Sequence, residues 1–221
     1  MNYTLPFTAI VGMDLVKRSL LYHAIDPRLG GLLLMGHRGC AKSTLARAFR
    51  EILPALETAE TTPFVEVPLG TSEDRLLGSI DASRLLENGE WSAQTGLIQQ
   101  ANGGVLYIDE VNLLPDHLVD SILDSAASGQ HRIERDGLSK TVSARYILIG
   151  SMNPEEGDLR PQLTDRFMHG ILVRDDFSVK ERREIVRVRM DFDDDPQKFL
   201  DGHLTKLEEL RTQILEIRQK M

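Results

Sequence analysis

Hydrophobic residues along the chain follow two alternating patterns, and the alternation points to a fold class. From Asp14 to Ile25, Leu15, Val16, Leu20, Leu21 and Ala24 recur at helical spacing until Asp26-Pro27 breaks the pattern. Gly31-Leu32-Leu33-Leu34-Met35 is then apolar without alternation, as a strand buried on both faces requires. A glycine-rich turn follows, with a helix predicted from about Lys42 to Leu53. Phe64 to Val67, Val105 to Ile108 and Tyr146 to Gly150 share the strand character, and Gly170 to Val173 shows it more weakly. Helical stretches such as Leu118 to Ala127 lie between them. Strands interleaved with helices predict an α/β fold, a five-stranded parallel sheet sandwiched by helices.

Two segments depart from this rhythm. Between Gln130 and Val142 the pattern becomes two short polar strands around Asp136-Gly137, a two-residue turn signal, which predicts an inserted hairpin. Beyond Asp175 the chain reads as helical, first from Val179 to Met190. The acidic run Asp191 to Asp195 is expected to be a solvated linker, since it lacks the glycine turn and distal glutamate of a calcium loop. Leu204, Leu207, Leu210, Ile214 and Ile217 then form a stripe at spacings of three and four, for which the sequence names no partner. The expected organisation is an α/β core over residues 1–174 and a helical segment over 175–221.

Composition narrows the function. Its 221 residues include 41% hydrophobic and 27% charged, an ordinary globular balance. The formal net charge of −8 repels phosphate backbones and anionic lipid, so no nucleic acid is expected as a partner. In the hairpin Arg132, Arg135 and Lys140 are interleaved with Glu134 and Asp136, which suits a protein partner better than DNA. Cys40 is the lone cysteine, excluding a disulfide framework and fitting a reducing compartment. No apolar run reaches the length of a membrane span and the first residues lack signal-peptide character, so the expected location is the cytoplasm, or a plastid stroma for an organellar protein. The histidines lack metal-ligand spacing; His117, His131 and His169 read as surface or turn residues.

Four elements carry chemistry. Gly36-His37-Arg38-Gly39-Cys40-Ala41-Lys42-Ser43 follows a buried strand and opens a helix, matching G-x-x-x-x-G-K-[ST] except that Ala41 replaces the glycine before lysine. Backbone N–H groups there, through Thr44, can wrap a triphosphate; Lys42 can reach the β and γ phosphates and the Ser43 hydroxyl can ligate Mg²⁺. A purely structural glycine turn is the competing reading. Val105 to Ile108 ends in Asp109 and Glu110, placed by a parallel sheet where ligands collect. Asp109 would hold the metal's water shell, and Glu110 would orient and deprotonate water, unless the two acids are a chance strand ending. Asn153, after the strand at Tyr146, can hold the attacking water or simply form an Asn-Pro turn. Arg166 is either a surface ion-pair partner or a finger completing a neighbouring subunit's site.

In this order and spacing the four elements resemble the AAA+ ATPases. The stretches Phe7 to Gly12, Ser72 to Arg75, Ala101 to Leu114 and Asn153 to Leu163 are similar to the ATPase I subunits of magnesium chelatase, and the resemblance covers nearly the whole chain. It implies a homo-oligomeric ring of ATP- and Mg²⁺-dependent subunits that associates with the chelatase's D-type partner and drives its porphyrin-binding H-type partner. It implies that Lys42, Ser43, Asp109, Glu110 and Asn153 form one subunit's site and that Arg166 serves its neighbour's. Residues 69–98 would match the family's insertion and the hairpin its own. Ala41 departs from the family pattern and is shared by related MoxR-type ATPases, so a cobalt chelatase subunit or a MoxR-type ATPase is the alternative. The family's helical lid, with its second sensor arginine, would only begin in the last helix, which also admits a nucleotide-gated assembly module with little turnover.

Overall fold

The computed structural model describes residues 3–54, 62–80, 93–135, 138–174 and 176–221. Helix α1 (Asp14–Ile25) leads into strand β1 (Gly31–Met35), whose following loop enters helix α2 (Lys42–Phe49). Next come β2 (Phe64–Val67), α3 (Glu73–Leu77), the short strands β3 (Ser79–Ile80) and β4 (Ala93–Gln94), α4 (Leu97–Gln100) and β5 (Val105–Ile108). Helix α5 (Asp116–Ser128) precedes the hairpin strands β6 (Gln130–Arg135) and β7 (Leu138–Ser143). Strand β8 (Ile147–Met152), α6 (Pro161–Thr164) and β9 (Phe167–Leu172) follow, then helices α7 (Val179–Asp194), α8 (Pro196–Asp201) and α9 (Leu204–Gln219).

The five long strands form one parallel sheet in the order β2-β5-β8-β1-β9. Parallel neighbours need crossover connections, which is why strands and helices alternate in the sequence. Side chains of successive residues leave a strand on opposite faces, and β1 feeds two cores accordingly. Leu32 and Leu34 pack with Leu20, Leu45 and Phe49 on one face, and Leu33 packs with Leu106, Leu118 and Ile122 on the other. Burial on both faces explains the unbroken apolar runs. Gly104 is dictated by close approach: a Cβ there would lie 2.0 Å from the carbonyl oxygen of Pro63.

The five-stranded sheet is the one expected, with shifted bounds. The helix opening at Lys42 ends at Phe49 and tightens into a 3-10 turn at Arg50–Ile52. Strand β8 runs on to Met152, and β9 begins three residues before the predicted Gly170. The hairpin pairs Gln130 with Ser143 through Ile133 with Lys140, while its Asp136-Gly137 turn lies outside the described residues. So does residue range 81–92 of the segment matched to the family's insertion; its described ends form α3, β3, β4 and α4. His131 is buried rather than a surface residue, because β6 packs against β3 and α5, and this burial lowers its pKa.

The C-terminal helices differ most from expectation. The acidic run is helical as far as Asp194, because Arg187 and Arg189 sit four residues before Asp191 and Asp193 and pair with them. Phe192 turns inward and meets the Phe199 ring edge-on at 5.7 Å, and the Asp195 carboxylate caps α8 by accepting the Lys198 N–H at 3.1 Å. The apolar stripe of α9 has a partner after all. Leu207 and Ile214 are buried in the core that holds Val16 and Leu20 of α1. Arg211 donates to the Glu51 carbonyl at 2.6 Å and Arg218 to the Ala24 carbonyl at 2.7 Å, so the middle and the C-terminal end of α9 are fastened to the sheet's helical layer. Among the described residues no helix is long and apolar enough to cross a membrane.

Candidate active site

Strands β1, β5 and β8 end on the same side of the sheet, and their following loops close around a cavity of about 280 Å³. Its walls are Arg38 to Thr44, the two acids Asp109 and Glu110, and Asn153. Residues predicted from three of the four separate stretches of sequence are thus brought together, and Arg166, the fourth, is not among them. Gly36 and His37 stand behind the wall, where their carbonyls accept hydrogen bonds from the Lys42 ammonium at 2.6 and 2.9 Å. The start of α2 borders the same space, and the free amide groups of a helix N-terminus favour an anion there.

The loop's path requires left-handed backbone at two positions, Gly39 (φ 81°) and Ala41 (φ 60°, ψ 23°). Glycine adopts this conformation freely; alanine does so at a cost of roughly 1–2 kcal/mol. Ala41 therefore carries a side chain on backbone of the kind that glycine favours. Cys40 is buried beneath the loop and its Sγ donates to the His37 carbonyl at 2.9 Å, a packing role.

The two acids do not sit as they would on a regular strand, where neighbours point to opposite faces. Glu110 takes up the left-handed region (φ 54°, ψ 57°), which turns its side chain back so that both carboxylates line one cavity. Asp109 Oδ1 accepts hydrogen bonds from the Tyr107 hydroxyl at 2.9 Å and the Ser151 hydroxyl at 2.6 Å. Ser151 Oγ in turn accepts the Glu110 N–H at 3.2 Å. Burial pushes the Tyr107 phenol above its ordinary range, so it remains a donor. The Glu110 carboxylate is paired with Arg38, which also reaches Glu156 at 2.9 Å. That ion pair raises the Arg38 pKa further.

Asn153 is buried, and its side-chain oxygen accepts the Glu155 N–H at 3.2 Å, capping the 3-10 turn Pro154–Glu156. The Asn-Pro turn and the pocket position are both real, since capping fixes the amide at the cavity wall. Arg166 lies outside the cavity, on the outer face of α5, where it pairs with Asp120 at 2.6 Å and with Asp124. Arg160 pairs with Asp116 on the same helix at 2.5 Å, and Arg174 pairs with Asp176. Tyr107, Ser151 and Glu156 were not singled out from sequence. The available signal was spacing: Tyr107 lies two residues before Asp109 and Ser151 two before Asn153, so each shares a strand face with a recognised residue.

The donor set fits a metal-bound nucleotide. It offers an ammonium and amide array for phosphate, a hydroxyl at Ser43 and a carboxylate at Asp109 for a hard cation, and a second carboxylate for a proton. A second cavity of about 300 Å³, lined by Met13 to Val16, Leu172, Arg174 and Phe177, begins beside Val173, against which the loop's first glycine packs.

Comparison with known proteins agrees with this geometry. The model of the AAA domain, dynein-related subfamily, matches residues 31–167. The chain is 44% identical to the magnesium-chelatase 38 kDa subunit of Rhodobacter capsulatus, over 98% of this chain and 69% of that one. It is 48% identical to the uncharacterized protein Rv2850c of Mycobacterium tuberculosis, over 88% of this chain and 31% of that one. A structure of the complex between subunits BchI and BchD of magnesium chelatase superposes with a TM-score of 0.77 at 43% identity, covering all of this chain and 77% of the other. A loop, an acid pair and a polar strand end converging on one cavity, in a sheet of this order, thus come with a family: the chain belongs to the AAA ATPases, among the relatives of the magnesium-chelatase I subunit.

Proposed function

We propose that this protein is the ATP-hydrolysing motor of a metal chelatase, acting as part of a homo-oligomeric ring. The observation that carries the reading is the single cavity shared by the phosphate loop, Asp109, Glu110 and Asn153. MgATP, when bound, supplies the phosphoryl electrophile and the cation that offsets its charge. Lys42 and the amide groups from Gly39 to Thr44 bind the phosphates, with Ser43 and Asp109 on the cation side, Asp109 through water. Glu110 orients a water and takes its proton, and Asn153 holds that water's other side. The second cavity, one residue from the loop's base, would receive the nucleoside. Arg166 would complete a neighbouring subunit's site, exchanging its own Asp120 and Asp124 for phosphate oxygens.

By its relatives the ring would work with D- and H-type partners to insert Mg²⁺ into protoporphyrin. One observation favours the same motor with another client: Ala41 in the loop. The test is the MgATP hydrolysis rate per subunit as a function of protein concentration, beside Glu110→Gln and Lys42→Ala. An interfacial motor gives a specific activity that climbs with concentration and is lost in both variants. Nucleotide binding without turnover at any concentration would leave an assembly switch instead. Reconstitution with the D- and H-type chelatase partners, offering Mg²⁺ or Co²⁺ in turn, assigns the client.

A further inference from the structure

We infer that Ser151, together with Tyr107, is the positioning residue of the acid pair. This deepens the proposed function and rests on it. Asp109 ends its strand with a side chain that could rotate into several orientations. Two hydroxyl donors on the same oxygen, at 2.6 and 2.9 Å, remove that freedom and leave Oδ2 as the oxygen without a hydrogen bond among the described residues. A carboxylate committed at one oxygen presents the other in a fixed direction, which a cation's water shell needs.

Ser151 does a second task with the same atom. A hydroxyl has one proton to donate and lone pairs to accept with, and Ser151 uses both kinds. It donates to Asp109 and accepts the N–H of Glu110, the residue whose left-handed backbone brings the second carboxylate into the cavity. The serine is fully buried on β8, the strand between β1 and β5, and the ladder pairing Ile108 with Gly150 sets it opposite the acids. The same side chain therefore fixes where Asp109 points and on which side of the strand Glu110 stands. Tyr107 supports the first task only.

The test compares Ser151→Ala, Ser151→Thr and Tyr107→Phe with the parent, after thermal melts establish which are folded. Binding of a fluorescent ATP analogue is measured in EDTA and across a Mg²⁺ titration, and hydrolysis is measured as kcat and KM. Positioning predicts that Ser151→Ala binds nucleotide in EDTA as the parent does. Its Mg²⁺ half-saturation should rise about 10-fold or more, with a parallel fall in kcat. Threonine, which keeps the hydroxyl, should restore both. Tyr107→Phe should shift Mg²⁺ half-saturation in the same direction by less, and it carries the test if Ser151→Ala fails to fold. Parent-like Mg²⁺ titration and kcat in the hydroxyl-free variants would overturn the inference and leave the site reading standing. A parent that binds no nucleotide, or a Lys42→Ala variant that binds it normally, would overturn the site reading and this inference with it.

Discussion

The Arg38 guanidinium holds the Glu110 carboxylate, with Nη2 at 3.0 Å and Nε at 3.2 Å from the same oxygen. An arginine of the phosphate loop thus neutralises the group that should accept a proton, and through Glu156 it also ties down the turn after β8. Arg38 is exposed, so the clamp is screened and exchangeable, and phosphate oxygens entering the loop would compete for it.

Arg38→Ala is therefore expected to separate the kinetic constants. KM for MgATP should rise several-fold as a cation leaves the cavity wall, while kcat holds or increases because Glu110 is released. Steady-state kinetics decide the matter. A kcat reduced tenfold or more would make Arg38 a group acting in the transition state rather than a clamp.

Ala41→Gly should tighten nucleotide binding. The substitution removes roughly 1–2 kcal/mol of left-handed strain and adds about 0.4–1 kcal/mol of unfolded-chain entropy, so the melting temperature should stay level or rise slightly. Deleting a methyl from the cavity wall should lower Kd by a few-fold. Equilibrium titration with a fluorescent nucleotide checks this, and weaker binding would show that the alanine is a favourable contact.

Glu51 predicts a pH dependence. Burial raises its carboxyl from 4.5 to about 7, against the pull of Arg50 and Arg211, and its Oε2 has no hydrogen-bond partner among the described residues. A group that holds its proton more tightly folded than unfolded stabilises the fold below the unfolded value. That contribution is lost as pH climbs from about 4.5 through 7. Thermal melts of the parent and Glu51→Gln at pH 5.5 and 8 should show the variant gaining on the parent at the higher pH. Parallel profiles would mean that the carboxyl is solvated.

Much of this was legible beforehand, for identifiable reasons. Strand runs such as Leu32 to Leu34 and Val105 to Ile108 are unbroken because both faces are covered, and period alone reveals that. The glycine loop and the acid pair were legible as candidates because each is written in consecutive residues after a buried strand, and the structure brings them to one cavity. Ser151 was not, since its importance comes from lying across a ladder from Asp109, 42 positions away. The stripe on α9 announced a partner without naming α1, because amphipathicity carries no address. The acidic run was misread from composition; counting Arg187 to Asp191 and Arg189 to Asp193 at helical spacing would have kept it in the helix.

The strand order has a consequence for ligand size. With β8 between them, β1 and β5 stand two inter-strand spacings apart, roughly 10 Å. The loop and the acids are thus held at a fixed gauge by the sheet's own hydrogen bonds. A short phosphate ester seated in the loop leaves that gap unspanned, whereas a chain of three phosphoryl groups with its cation reaches toward the far side. The sheet works as a ruler: any phosphate in the loop competes for Arg38, but on the proposed reading a full-length ligand would also touch the acid side of the cavity.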